Sequence, residues 1–145
     1  GWVMGGQELM TGAWRIHQNV TFAVNHPGQY GIAHALTLGD AYYAQLRQTY
    51  TQKRQILLEA LNTAGISVDY APSGAFYIMG NFSQVFDGDD REFAKWLIKE
   101  HGVACIPPSA FFSEANKSIT AQHARFSYCK NDDVLHEAAR RLAKI

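Results

Sequence analysis

The sequence predicts an α/β protein whose larger part is a compact α+β unit. Three observations carry this expectation. Ala124-Arg125-Phe126-Ser127-Tyr128-Cys129-Lys130 alternates strictly, with Ala124, Phe126 and Tyr128 on one face and Arg125, Ser127 and Cys129 on the other, the pattern of a strand with one buried face. Short apolar runs at 66–70, 75–79 and 103–106 are bounded by Gly and Pro and read as further strands. Between and after them lie patterns of helical period, so strands and helices are interleaved in one unit.

Taken in order, Gly1 to Gly5 reads as a strand with small residues at both ends, and the expectation is that the sequence is cut there, within a strand. Gln7 to Asn19 places Leu9, Met10, Ala13, Trp14 and His17 on one face of a helix. Residues 21–27 form an extended loop, because Pro27 bars a helix through it and biases His26 to extended geometry. Gly28 to Leu38 is a short helix of small residues that Gly39 ends. Asp40 caps a long helix running to about Ala64, with an apolar stripe of Tyr43, Leu46, Tyr50, Leu57, Leu61 and Ala64 and a solvated face of Arg47, Gln48, Lys53 and Arg54. Gly65 ends it.

Strands follow at Ile66–Tyr70 and Ala75–Met79 around the turn Ala71-Pro72-Ser73-Gly74, and then a polar loop from Asn81 to Asp90. Asp90 to His101 is a helix facing inward through Phe93, Trp96 and Leu97, and Gly102 ends it. Val103–Ile106 is a buried strand stopped by Pro107-Pro108, and residues 109–121 are loop. The strand carrying Arg125 comes next. Asn131-Asp132-Asp133 stops it and opens a last helix with Val134, Leu135, Ala138, Leu142 and Ile145 along one side. The division falls between residues 39 and 40. The first part has a single strand and cannot close its own core.

Composition narrows the function. With 47% hydrophobic and 18% charged residues in 145, the chain is long and apolar enough for a real core and unlike a disordered segment. Thirteen basic residues balance thirteen acidic ones without a basic stripe, which weighs against a nucleic-acid partner. The apolar runs are too short to cross a bilayer, and no basic start with an apolar core marks a signal peptide. Cys105 and Cys129 sit in predicted strands and read as buried, reduced thiols of a cytoplasmic protein. The six histidines lack metal spacing, and there is no phosphate loop or nucleophile elbow. Asp87-Gly88-Asp89-Asp90 begins like a calcium loop, but the distal glutamate is missing.

Arg125 is the most informative side chain. Its planar fork matches a carboxylate or phosphate with two parallel hydrogen bonds, as lysine cannot. The plainer alternative is an edge arginine with a local ion pair.

Four stretches, in order along the chain, resemble the class I/II aminotransferases, the fold-type-I enzymes that use pyridoxal 5'-phosphate, and within them the methionine and kynurenine aminotransferase subgroup. They are Gly1-Trp2-Val3-Met4-Gly5; His17-Gln18-Asn19-Val20-Thr21-Phe22 with Pro27-Gly28-Gln29; Phe93 through Phe111 with Lys95-Trp96-Leu97 and His101 through Pro107; and Arg125-Phe126-Ser127-Tyr128-Cys129-Lys130. The resemblance implies that residues 1–39 are the tail of the large cofactor domain, and that residues 40–145 are a connecting helix and the C-terminal small domain. It implies that Arg125 holds the substrate α-carboxylate and that Phe22 reaches the neighbouring subunit's active site in a homodimer. Gly74-Ala75-Phe76-Tyr77 matches a structural turn and strand, and Ser109 and Phe111 match a loop near the substrate. The implied substrates are an amino acid and a 2-oxo acid.

Two departures accompany it. The family has a basic residue that helps bind the cofactor phosphate where this chain has Val3, which offers neither charge nor hydrogen bond. The Schiff-base lysine of the family falls before Gly1, and Lys53, Lys95, Lys99, Lys117, Lys130 and Lys144 match no such motif. Pyridoxal chemistry needs that lysine and an acidic partner for the ring nitrogen, so the chain by itself is expected not to transaminate and to depend on an N-terminal remainder. A separate reading is a non-catalytic binding module or one half of a split enzyme.

Overall fold

Residues 3–145 are described by a computed structural model. The chain falls into two compact units that divide between Tyr43 and Ala44, within the long helix α3, Asp40–Thr63.

In the first unit, α1 spans Gln7–Val20 and α2 spans His26–Ala35. Val3 to Gly6 has no regular structure, and the rest of the expected opening strand, Gly1 and Trp2, lies outside the described residues. A strand needs a neighbour for its backbone donors and acceptors, and no described segment of this unit supplies one. Pro27 does not bar α2 but stands in its first turn, where a missing N–H has no helical partner to lose. Asn25 Oδ1 accepts from Gly28 N at 2.9 Å and fixes the start of the helix, so α2 begins and ends earlier than the sequence suggests. No residue of α1 or α2 is buried, and Leu9, Trp14, Ile16 and Tyr30 are all exposed.

The second unit is built on two antiparallel strands, β1 (Tyr77–Asn81) and β2 (His123–Ser127), with Ile78 opposite Phe126 and Met79 opposite Arg125. The expected strands at 66–70 and 103–106 are reduced to single bridges, Ser67 with Asn81 and Ile106 with Arg125. At the second of these, Pro107 has no N–H, so the pairing of Ile106 cannot run on C-terminally. β1 starts two residues later than its apolar run because Ala75 has φ +64, which no extended strand can hold.

One core joins these strands to the C-terminal half of α3, to α4 (Asp90–Trp96) and to α5 (Asp132–Leu142). Leu61, Ile78, Phe82, Phe93 and Leu142 are fully buried in it. The segment 81–90 is therefore not a polar loop. Phe82 stacks on Phe93 with centroids 4.0 Å apart, and Phe86 packs edge-on against both. Asp89 and Glu92 form a reciprocal capping box that starts α4. The helix then widens into a π turn over Leu97–His101 and stops at Gly102, whose φ is +65. Lys53 and Arg54 do not lie on a solvated face. Lys53 pairs with Asp132 at 2.9 Å, and Arg54 donates to the Pro72 carbonyl. No helix among the described residues is long and apolar enough to cross a membrane.

Gly80 marks the tightest backbone approach in this core. A Cβ there would stand 2.6 Å from Ile66 Cγ2 and 3.4 Å from Phe126 Cε2. Ile66 is itself fully buried and β-branched, so it cannot swing aside. Gly80→Ala is expected to lower stability by about 1–3 kcal/mol, read as a shift of the urea midpoint at unchanged slope.

Candidate functional site

The alternation of β2 buries Ala124 and Phe126 and turns His123, Arg125 and Ser127 to the opposite face. The Arg125 backbone is held from both sides. It pairs with Met79 across β1, and it exchanges two hydrogen bonds with Ile106, N to O at 2.9 Å and O from N at 3.0 Å. A residue fixed on both edges cannot change register, so the origin of its side chain is fixed too.

The guanidinium lies between two aromatic rings. Its central carbon is 4.4 Å from the Tyr77 ring centroid and 4.8 Å from that of Phe111. Tyr77 opens β1 and shares a strand face with Met79, while Phe111 ends a short 3-10 turn over Pro108–Phe111. Nε of Arg125 is buried without a hydrogen-bond partner, and Arg125 makes no ion pair among the described residues. The edge arginine with a local ion pair is therefore not what the fold contains. Two cation–π contacts contribute on the order of 0.5–2 kcal/mol each, which offsets only part of the desolvation of an uncompensated cation.

Around this centre, Asp90 is buried at the start of α4 and grips Ser109 with both oxygens, Oδ2 accepting from the backbone N–H at 2.7 Å and Oδ1 from the hydroxyl at 2.9 Å. Cys105 lies within reach of the same charge. Burial first, and Asp90 second, push its thiol up to about 12. His123 Nδ1 is buried and unpartnered on the Arg125 face of β2, and His123 lines a cavity of about 280 Å3 with Tyr77 and Met79. Tyr128 steadies the approach to Tyr77 by donating its hydroxyl to the Ala75 carbonyl at 2.7 Å.

Phe22 and Val3 belong to the first unit. Phe22 sits in the turn after α1 with φ +60 and a side chain 92% exposed, and Val3 is also exposed. Neither thiol is fully buried, and Cys129 is exposed: it lies past the end of β2 at Ser127, and the alternation of the strand assigns it to the Arg125 face and not to the core. Among the described residues no group of His, Cys, Asp and Glu could hold a metal ion. The residues that sequence reading did not single out are Tyr77 as a wall, Asp90 and His123. Tyr77 becomes visible only through the β1–β2 register, and Asp90 looks like one more acid in an acidic run.

The chain as a whole resembles known proteins in sequence and fold. The family model for aminotransferase class I and II covers residues 1–142. The chain belongs to that family. It is 32% identical to a kynurenine–oxoglutarate transaminase of Dictyostelium discoideum over 100% of its own length and 37% of that protein. It is 35% identical to a methionine aminotransferase of Escherichia coli over 90% of its length and 33% of that protein. Among solved structures, N-succinyldiaminopimelate aminotransferase from Mycobacterium tuberculosis superposes with a TM-score of 0.83 at 34% identity, over 99% of this chain and 37% of that one. The chain thus spans about a third of the length of these relatives, and its fold is that of the C-terminal portion of the fold-type-I aminotransferases.

Class I and II aminotransferases are pyridoxal phosphate enzymes. The residues described here do not by themselves fit that cofactor. Lys53 is engaged by Lys130 and Asp132, Lys117 by Glu114, and Lys95, Lys99, Lys130 and Lys144 are exposed. Val3 brings no donor to a phosphate. What the second unit does hold is a half-buried guanidinium in contact with two aromatic rings.

The thiols differ in a way that can be read directly. At pH 8, iodoacetamide should label Cys129 and leave Cys105 unmodified until the protein is unfolded, as seen by peptide mass spectrometry.

Proposed function

We propose that this chain is the carboxylate-binding part of an aminotransferase that moves an amino group from an amino acid to a 2-oxo acid. The observation that carries the reading is the Arg125 guanidinium, which has no ion pair among the described residues and lies over the rings of Tyr77 and Phe111. A substrate α-carboxylate supplies what the site lacks: one negative charge and two coplanar acceptors for the fork. The two rings restrict the plane of the guanidinium before the substrate arrives. Little rotamer entropy is then lost on binding, and the amino group is carried to a fixed place. Bound pyridoxal phosphate would supply the electron sink for the chemistry.

The lysine that carries the cofactor is assigned to a segment before Gly1. The engagement or exposure of all six lysines of the chain supports this, as does its match to about a third of its relatives' length. Phe22 is assigned to substrate binding across the interface of a homodimer. A non-glycine residue at φ +60 costs about 1–2 kcal/mol, and such strain persists where function uses the conformation.

In the full-length enzyme, Arg125→Lys keeps the charge and loses the fork. It is expected to lower kcat/KM for amino acids at least about 30-fold, the loss of a charge-assisted hydrogen bond, and Arg125→Ala more. Unchanged kcat/KM in both variants would overturn the assignment. Pyridoxal phosphate added to the 145-residue chain should leave only scattered, sub-stoichiometric labelling of exposed lysines after borohydride reduction, and no single specific adduct. A single lysine trapped in stoichiometric yield would place the cofactor's lysine inside this chain instead.

A further inference from the structure

Phe111 is 65% exposed, so little packing tells its ring where to be. Its place over Arg125 depends on how the segment 106–111 is tied down. One end is bound to Arg125 itself through the two backbone hydrogen bonds of Ile106. The other end is bound at Ser109, two residues before Phe111, by the two oxygens of Asp90. The backbone bonds at the two ends of the intervening 3-10 turn are long, Ala110 N to Pro107 O at 3.4 Å and Phe112 N to Ser109 O at 3.2 Å. The Asp90 carboxylate is 2% exposed and has no ion pair among the described residues. A buried charge spent on a serine, with no cation to compensate it, is a costly way to hold a loop. It does what a neutral contact would not, because a hydrogen bond to a charged acceptor is about twice as strong as a neutral one and the bidentate pair fixes orientation as well as distance.

We infer that Asp90 is a positioning residue for carboxylate recognition. Through Ser109 it sets the Phe111 ring on the guanidinium, and so sets the plane of the Arg125 fork. The inference rests on the reading of Arg125 as the carboxylate anchor. It adds a residue 35 positions away in sequence that touches neither the substrate nor Arg125. Asp90→Asn removes the charge that strengthens both bonds, leaving one neutral acceptor for the Ser109 N–H and an amide that can only donate to the hydroxyl. Ser109→Ala removes the hydroxyl bond and keeps the backbone one, so it tests the same link with less risk to the fold.

The measurement is binding of 3-phenylpropanoate and of its neutral amide, 3-phenylpropanamide, to the full-length enzyme by calorimetry. The ratio of the two affinities reports the fork and not the general health of the protein. Asp90→Asn is expected to lower that ratio about fivefold and Ser109→Ala by a smaller factor, with the amide affinity unchanged. Phe111→Leu should lower the ratio as well, and the Asp90→Asn, Phe111→Leu double variant should lose no more than Phe111→Leu alone, since both act through one ring. Equal losses for acid and amide, additive losses in the double variant, or an unchanged ratio in both Asp90→Asn and Ser109→Ala would each overturn the role of Asp90. An unchanged ratio in Arg125→Lys would overturn the anchor itself, which separates the two failures.

Discussion

The second unit is arranged around one electrostatic problem: a guanidinium that is partly out of water and makes no ion pair among the described residues. A cation in that position is expensive, and nothing short of a rigid frame keeps it there. The frame is the β1–β2 pair with Ile106 on the far edge, which pins the Arg125 backbone on both sides. Behind it, Phe126 and Ala124 sink into the core, so any rotation of β2 that let Arg125 escape to solvent would pull Phe126 out of it. Hydrophobic burial on one face of a five-residue strand is thereby converted into positional accuracy on the other.

The walls of the site are held by polar contacts of a different kind. Tyr128, buried on the core face of the chain just past β2, reaches with its hydroxyl to the strained turn at Ala75 and so sets where β1 begins. Asp90 does the equivalent for the turn that ends in Phe111. Each wall thus rests on a buried oxygen that serves backbone or hydroxyl groups of a loop. Such contacts hold loops in place where apolar contacts would leave them free to slide.

Much of this was legible in the sequence because it follows from periodicity. The alternation from Ala124 to Tyr128 announced β2 and the face of Arg125, and the glycines at 65 and 102 announced two helix ends. What periodicity cannot carry was missed. The start of β1 turned on one left-handed alanine. The run 81–90 looked polar by count, yet its Phe82 and Phe86 are pulled inward by Phe93, and a count of polar residues does not register which few side chains turn into the core. Tyr77 and Asp90 gained their meaning from long-range register and from a loop contact. The residues alone left the partner of Arg125 open, since a fork in a strand is compatible with several anions.

The pairing of Tyr77 with Ser127 has a bearing on how the chain is made. β1 leaves the ribosome long before β2 exists, and until then it is an open edge with Ile78 exposed to solvent and to other chains. α3 can form as it emerges, because its contacts are local, but the sheet must wait for a partner from far along the message. The segment that completes the sheet is also the one that carries Arg125. A nascent chain therefore places Arg125 and covers the open edge of β1 in the same step, and any pause in translation between the two strands prolongs the exposure of that edge.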